Sequence, residues 1–128
     1  MKQSVAILGA AGLTGRELIL ILARHPWLEA AVLTSDRYAG ERVAQVYPEL
    51  DGLSNLSFEK HTLNLPRECP VLLATPDDVA LQAVPELLER GHRIVDLSGA
   101  FRLTPEIFRK TYGKEHPAPS ALAAAVYG

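Results

Sequence analysis

Seven residues near the amino terminus, Gly9-Ala10-Ala11-Gly12-Leu13-Thr14-Gly15, carry the clearest chemistry in this chain. Before them runs Val5-Ala6-Ile7-Leu8-Gly9, which reads as a buried parallel strand. After them runs Glu17 to Ala23, apolar and helix-like. Glycines at such a hinge let backbone N–H groups approach an anion closely, and the new helix turns its positive end toward the same point. The spacing is G-x-x-G-x-x-G rather than G-x-G-x-x-G, but strand before and helix after is the context a dinucleotide pyrophosphate needs. Gly9, Ala11, Gly12, Leu13, Thr14 and Gly15 are the candidate pyrophosphate residues. A tight turn without a ligand is the alternative.

A second group stands at Thr34-Ser35-Asp36-Arg37. Ser35 lies 20 positions after Gly15, where the adenosine ribose of a bound dinucleotide should fall. An acid there accepts from a ribose 2′-hydroxyl and suits NAD; a hydroxyl with a guanidinium suits the 2′-phosphate of NADP. Asp36 offers the first, and Ser35 with Arg37 offers the second. Arg37 has the stronger claim, because an anion gains most from a fixed, permanently charged fork.

Two further stretches follow apolar runs. Ala74-Thr75-Pro76-Asp77-Asp78 can reach the pyrophosphate or the nicotinamide ribose, with Asp77 or Asp78 as ordinary helix caps on the plainer reading. Asp96-Leu97-Ser98-Gly99-Ala100-Phe101-Arg102 brings Ser98 and Gly99 toward a nicotinamide and Arg102 toward an anionic substrate. A surface ion pair is the plainer role for Arg102. The lone thiol, Cys69, precedes an apolar run, so it belongs at the amino edge of a sheet, opposite a ligand crevice. It reads as structural, since a thiolate needs a cationic neighbour or a helix N-terminus. His25, His61, His92 and His116 are dispersed, with no Cys/His pair at metal-ligand spacing, so no metal site is expected.

The elements that must hold these groups alternate. Strands are expected at about 4–9, 28–34, 71–74 and 93–97, with a short edge strand at 56–59. Helices are expected from Gly12 or Thr14 to His25, from Asp77 or Asp78 to a left-handed cap at Gly91, and at 105–112 and 120–126. One or two helical turns at 41–47 should end at Pro48. The first helix is apolar nearly all round, which suggests burial on two sides. Leu18, Ile21 and Leu22 share one of its faces. Val79, Ala80, Ala83, Val84, Leu87 and Leu88 form a stripe on the next helix, where Pro85 should kink it or begin a second one. Strands alternating with helices imply an α/β, Rossmann-like, doubly wound, mostly parallel sheet in a single domain over 1–128. Ligands of such sheets bind beyond the carboxyl ends of the strands, where the winding reverses. A length of 128 residues suits one core, and a formal net charge of −2 without a basic stripe argues against nucleic acid. The longest apolar run, Leu18 to Ala23, is far short of a membrane span. One cysteine and no export signal point to a reducing cytoplasm.

The chain resembles N-acetyl-γ-glutamyl-phosphate reductase, an NADP-dependent semialdehyde dehydrogenase of arginine biosynthesis. The resemblance rests on Gly9-Ala10-Ala11-Gly12-Leu13-Thr14-Gly15-Arg16-Glu17-Leu18, His25-Pro26, Leu33-Thr34-Ser35 with Tyr38-Ala39-Gly40, and Pro85-Glu86-Leu87-Leu88. It also rests on Asp96-Leu97-Ser98-Gly99-Ala100-Phe101-Arg102-Leu103, the most specific stretch, on Tyr112-Gly113 and on Val126-Tyr127-Gly128. The resemblance implies reduction of an acyl phosphate to an aldehyde by NADPH through a thioester on a cysteine. In the family that cysteine comes after the segment matching Val126-Tyr127-Gly128. No catalytic residue is therefore expected here, and the chain should be inactive alone, with a homo-oligomer for the full-length enzyme. By position, Gly9, Gly12, Thr14 and Gly15 would bind the pyrophosphate and Ser35 and Arg37 the 2′-phosphate, with Pro76, Ser98 and Gly99 on the nicotinamide side. The chain departs from the family at Pro76-Asp77-Asp78, where a Pro-His-Gly-like sequence is usual, and at Ser98-Gly99-Ala100, which lacks a frequent acid. Reductases of aminoadipyl phosphate or aspartyl phosphate, and a non-catalytic dinucleotide module, are the other readings.

Overall fold

In a computed structural model, which describes residues 1–127, the chain forms one four-stranded parallel sheet flanked by helices. The elements run β1 (Gln3–Leu8), α1 (Leu13–Ala23), β2 (Leu28–Leu33), α2 (Val43–Val46), β3 (Val71–Leu73), α3 (Asp77–Glu89), β4 (Ile94–Asp96), α4 (Pro105–Tyr112) and α5 (Pro119–Ala124). The spatial order is β2-β1-β3-β4, so the winding reverses between β1 and β3. Residues of β1 alternate between two cores, as a strand with both faces covered must. Val5 and Ile7 pack with Ile19 and Leu22 of α1 and with Phe58, whereas Ala6 and Leu8 pack with Ala83, Val84 and Leu87 of α3. That two-sided burial is the expected doubly wound α/β architecture.

Several local expectations are corrected. Helix α1 buries Gly15, Ile19 and Leu22 while Ile21 is largely exposed, so burial is on one side. The helix stops at Ala23, and the His25 ring turns the chain by accepting the amides of Trp27 and Leu28 at 3.1 and 3.0 Å. Strand β2 is an edge strand of this sheet and mostly half-buried. The single helical turn α2 does end ahead of Pro48, as expected, and a separate 3-10 turn, Pro48–Leu50, follows it. Residues 56–59 make only isolated bridges, Thr34 with Glu59 and Arg42 with Ser57, although Phe58 is buried as the alternation required. Helix α3 continues through Pro85 as one element, and Leu81 joins its buried face while Leu88 is 44% exposed. Gly91 does close α3 with a positive φ: its amide donates to Leu88 and that of His92 to Leu87. Helix α5 begins at Pro119 and ends at Ala124, ahead of the expected Val126.

Candidate functional site

All four strands are parallel, so the segments following β1, β2, β3 and β4 share one edge of the sheet. Each candidate group found in sequence, other than Cys69, follows one of these ends. The glycine loop lies over the reversal of winding, and its glycines have distinct tasks. Gly9 has φ +75°, and a Cβ there would stand 2.7 Å from the Ala74 carbonyl oxygen at the end of β3. A Cβ on Gly15 would stand 2.3 Å from the Ala10 carbonyl oxygen, so the absence of a side chain lets α1 close on the loop. Around Gly12, by contrast, a Cβ would meet nothing within 4 Å. That space is where backbone can approach a ligand.

Gly12 is the N-cap of α1, and among the described residues no side chain caps it. The first intrahelical bond runs from Arg16 N–H to Gly12 carbonyl. The amides of Gly12, Leu13, Thr14 and Gly15 are the four a helix start leaves unpaired, and none has a protein acceptor among the described residues. No acid occupies the first turn of α1. Donors without acceptors at a positive helix end form an anion site. At the adjacent end of β3, the Thr75 hydroxyl is buried and has no partner among the described residues. Its Cγ2 would lie 3.0 Å from a Cβ on Gly9, so the orphan borders the loop. Sequence reasoning named the 74–78 stretch but chose Pro76, the exposed N-cap of α3. An orphaned hydroxyl leaves no mark on sequence pattern.

Thr34 ties the loop to the end of β2. Its hydroxyl accepts the Gly9 amide at 3.2 Å and its carbonyl accepts the Ala10 amide at 2.8 Å. The next residues divide the labour. Ser35 accepts the Tyr38 amide at 3.3 Å, and Arg37 lies over the Tyr38 ring, 5.1 Å from its centroid. Asp36 accepts the His61 amide at 2.8 Å, which commits one of its oxygens to holding the 60s loop.

At the other end of the crevice Asp77, the first residue of α3, is the hub. Its Oδ1 accepts the Gly99 amide at 2.7 Å and its Oδ2 the Tyr112 hydroxyl at 2.6 Å. The expectation that Asp77 caps its own helix is thus corrected: it clamps the β4–α4 segment, and α3 starts without a side-chain cap. The Tyr112 hydroxyl holds the Asp77 carboxyl below the usual range, with the Gly99 amide and Arg102 assisting, and the carboxylate pushes the Tyr112 phenol up. Ser98 turns back to Asp96, its amide and hydroxyl donating at 2.9 and 3.0 Å. The Gly99 amide is consumed by Asp77, and a Cβ on Gly99 would press on the Tyr112 hydroxyl at 3.0 Å and Arg102 Nε at 3.4 Å. Ser98 and Arg102 also border an apolar groove of about 700 Å³ on the outer side of β4, with Val84, Leu88 and Phe101.

Cys69 lies at the amino ends of the strands, buried, with its thiol pushed up by burial. His92 is its spatial neighbour, with Nδ1 4.0 Å from Sγ. That nitrogen also sits 2.9 Å from the Cys69 carbonyl, which can only accept, so it carries a proton and cannot take one from the thiol. Among the described residues no group of three or more His, Cys, Asp and Glu could hold a metal ion. No described helix is long and apolar enough to cross a membrane. Gly128, which closes the Val126-Tyr127-Gly128 match, lies outside the described residues.

Parallel sheet, reversal of winding and open glycine loop together define a dinucleotide-binding α/β domain. Over residues 4–128 the chain matches the family described as semialdehyde dehydrogenase, NAD binding domain, and it belongs to that family. It is 43% identical over 125 residues to an N-acetyl-gamma-glutamyl-phosphate reductase of Leptospira borgpetersenii serovar Hardjo-bovis, covering 97% of this chain and 37% of that protein. It is 42% identical over 127 residues to a LysW-L-2-aminoadipate/LysW-L-glutamate phosphate reductase of Sulfurisphaera tokodaii, covering 97% and 36%. Among solved structures, aspartate semialdehyde dehydrogenase with NADP from Candida albicans shares the fold, with a TM-score of 0.68, 22% identity, and coverage of 91% of this chain and 41% of that one. The chain thus spans little more than a third of the length of the curated relatives it matches.

Proposed function

We propose that this chain is the NADP-binding portion of a reductase that converts N-acetyl-γ-glutamyl phosphate to the semialdehyde in arginine biosynthesis. The observation that carries the reading is the glycine loop: four unpaired amides beside an open Gly12, at the start of a helix with no acid in its first turn. These groups fit a pyrophosphate, with Gly9 and Gly15 shaping the loop and Ala11, Leu13 and Thr14 completing it. NADP is favoured over NAD because Arg37 is a permanent cation beside Ser35, whose hydroxyl accepts the Tyr38 amide and keeps its own proton to donate to a 2′-phosphate, whereas one oxygen of Asp36 is committed to the His61 amide. When bound, NADPH supplies a hydride. The chain's own residues bind and orient: the loop grips the phosphates, Thr75 offers an unpaired hydroxyl beside them, and Pro76 and Ser98 border the nicotinamide side. Gly99 supports this side through its bond to Asp77, and Arg102 is placed to meet an anionic substrate. The nucleophile is assigned to a part of the enzyme outside these residues, because the buried Cys69 faces the wrong edge. The single thiol suits a reducing cytoplasm.

A second reading, a reductase of a carrier-linked aminoadipyl phosphate, is favoured by the relative from Sulfurisphaera tokodaii, whose identity of 42% barely differs. Turnover of each acyl phosphate by the full-length protein separates the two. For the cofactor, calorimetric titration of the chain should give tighter binding of NADPH than of NADH, by tenfold or more. Arg37→Ala should remove most of that difference, since a charged pair to phosphate contributes about 1.5–3 kcal/mol. Equal affinities in the unaltered chain would overturn the 2′-phosphate assignment.

A further inference from the structure

Tyr47 lies far from the glycine loop in sequence, 36 positions after Ala11, yet its hydroxyl donates to the Ala11 carbonyl. The bond joins two elements that nothing in the pattern of the chain pairs. Tyr47 closes α2, with the 3-10 turn beginning at the next residue, and its ring packs on the core shared by β1 and α1. A second contact fixes the same segment. The Arg16 guanidinium sits 5.9 Å from the centroid of the Tyr47 ring, with Nε 2.6 Å from Glu49 and Nη1 2.8 Å from Glu17. Residues 47–49 are therefore clasped to the start of α1 at two points, a neutral hydrogen bond and an ion pair. Arg16, the cation nearest the loop in sequence, is occupied by carboxylates.

A peptide unit is planar and trans, so its C=O and N–H point in opposite directions. The carbonyl of Ala11 and the amide of Gly12 belong to one such unit. Holding the carbonyl against Tyr47 therefore turns the Gly12 N–H the other way, and that amide has no protein acceptor among the described residues. We infer that Tyr47 is a positioning residue for the anion site, its hydroxyl setting the Ala11–Gly12 peptide so that the Gly12 amide faces the dinucleotide pyrophosphate. The Arg16–Glu49 pair keeps the Tyr47 segment in place. The inference rests on the dinucleotide reading above and deepens it.

The test is Tyr47→Phe, which deletes one oxygen and keeps the ring on its core contacts. Calorimetry should show NADPH binding weakened about three- to tenfold, the range expected for losing the bond that orients one donor. Affinity for adenosine 2′-monophosphate, which lacks the pyrophosphate, should be unchanged. A structural role alone would weaken both ligands together or neither, and either result overturns the inference. Glu49→Gln, with Tyr47 intact, should reduce NADPH affinity by a smaller factor, again without touching the monophosphate. Failure of the unaltered chain to bind NADPH at all would instead overturn the dinucleotide reading.

Discussion

At Asp77 one carboxylate holds two crevice segments together, accepting from the Gly99 amide and from the Tyr112 hydroxyl. Its place at the first residue of α3 also sets a negative charge against the positive end of that helix. Replacing it by Asn removes the charge and one acceptor, and should cost about 1 kcal/mol by thermal unfolding, since the site is partly open to solvent. The pH dependence follows from the direction of its shift. The Asp77 carboxyl is held down in the folded chain, chiefly by Tyr112, so its extra stability is complete above the unfolded carboxylate range. It is lost as pH falls through the lower, folded value. Tyr112 is raised, so its share is complete below the ordinary phenol range and is lost as pH climbs through the folded value. Melting temperatures of Asp77→Asn and Tyr112→Phe, taken across both windows, should therefore fall less steeply at the acid and alkaline ends than those of the unaltered chain. Parallel curves would show that the pair does not titrate with folding.

The glycine loop and α1 act as one element, and two substitutions divide its tasks. Gly15→Ala drives a Cβ into the Ala10 backbone and must push α1 off the loop, a change of the overpacking kind that costs about 1–3 kcal/mol. Gly12→Ala meets open space at φ −78°, a conformation any residue adopts, and should cost no more than about 1 kcal/mol, the preference of an N-cap for glycine over alanine. NADPH affinity should nevertheless fall tenfold or more in Gly12→Ala, since the methyl fills the approach to the phosphate. Loss of stability without loss of affinity in that variant would reverse the roles given to the two glycines. The spacing of these glycines, the apolar strands and the cap at Gly91 were legible in the sequence, because local backbone geometry writes itself into residue type. The partner of each was not. Tyr47 meets Ala11 across 36 positions and Asp77 meets Gly99 across 22, and such side-chain bonds leave no period to read. The alternation at 56–59 was real for burial of Phe58, but the backbone there makes only single bridges. Burial rather than pairing produced that pattern.

Across the whole molecule, apolar side chains are bared along the outer side of the sheet. Val95 and Leu97 in and after β4 are 54% and 49% exposed, and Val126 and Tyr127 are exposed beside the same groove. Apolar surface of this kind favours association. Sedimentation at rising concentration should show reversible self-association, and Val95→Lys should suppress it. A monomer at millimolar concentration would count against this. Thr34 has a different reach. One buried residue receives the amides of Gly9 and Ala10 and also bridges to Glu59, so the loop after β1 and the turn after β2 share a single anchor. On the dinucleotide reading proposed above, two binding surfaces fixed to one post would behave as a chelator, with the separation between phosphate grip and ribose grip set before the ligand arrives. The second contact then forms at high effective concentration, and a dinucleotide gains more than its separate halves would together.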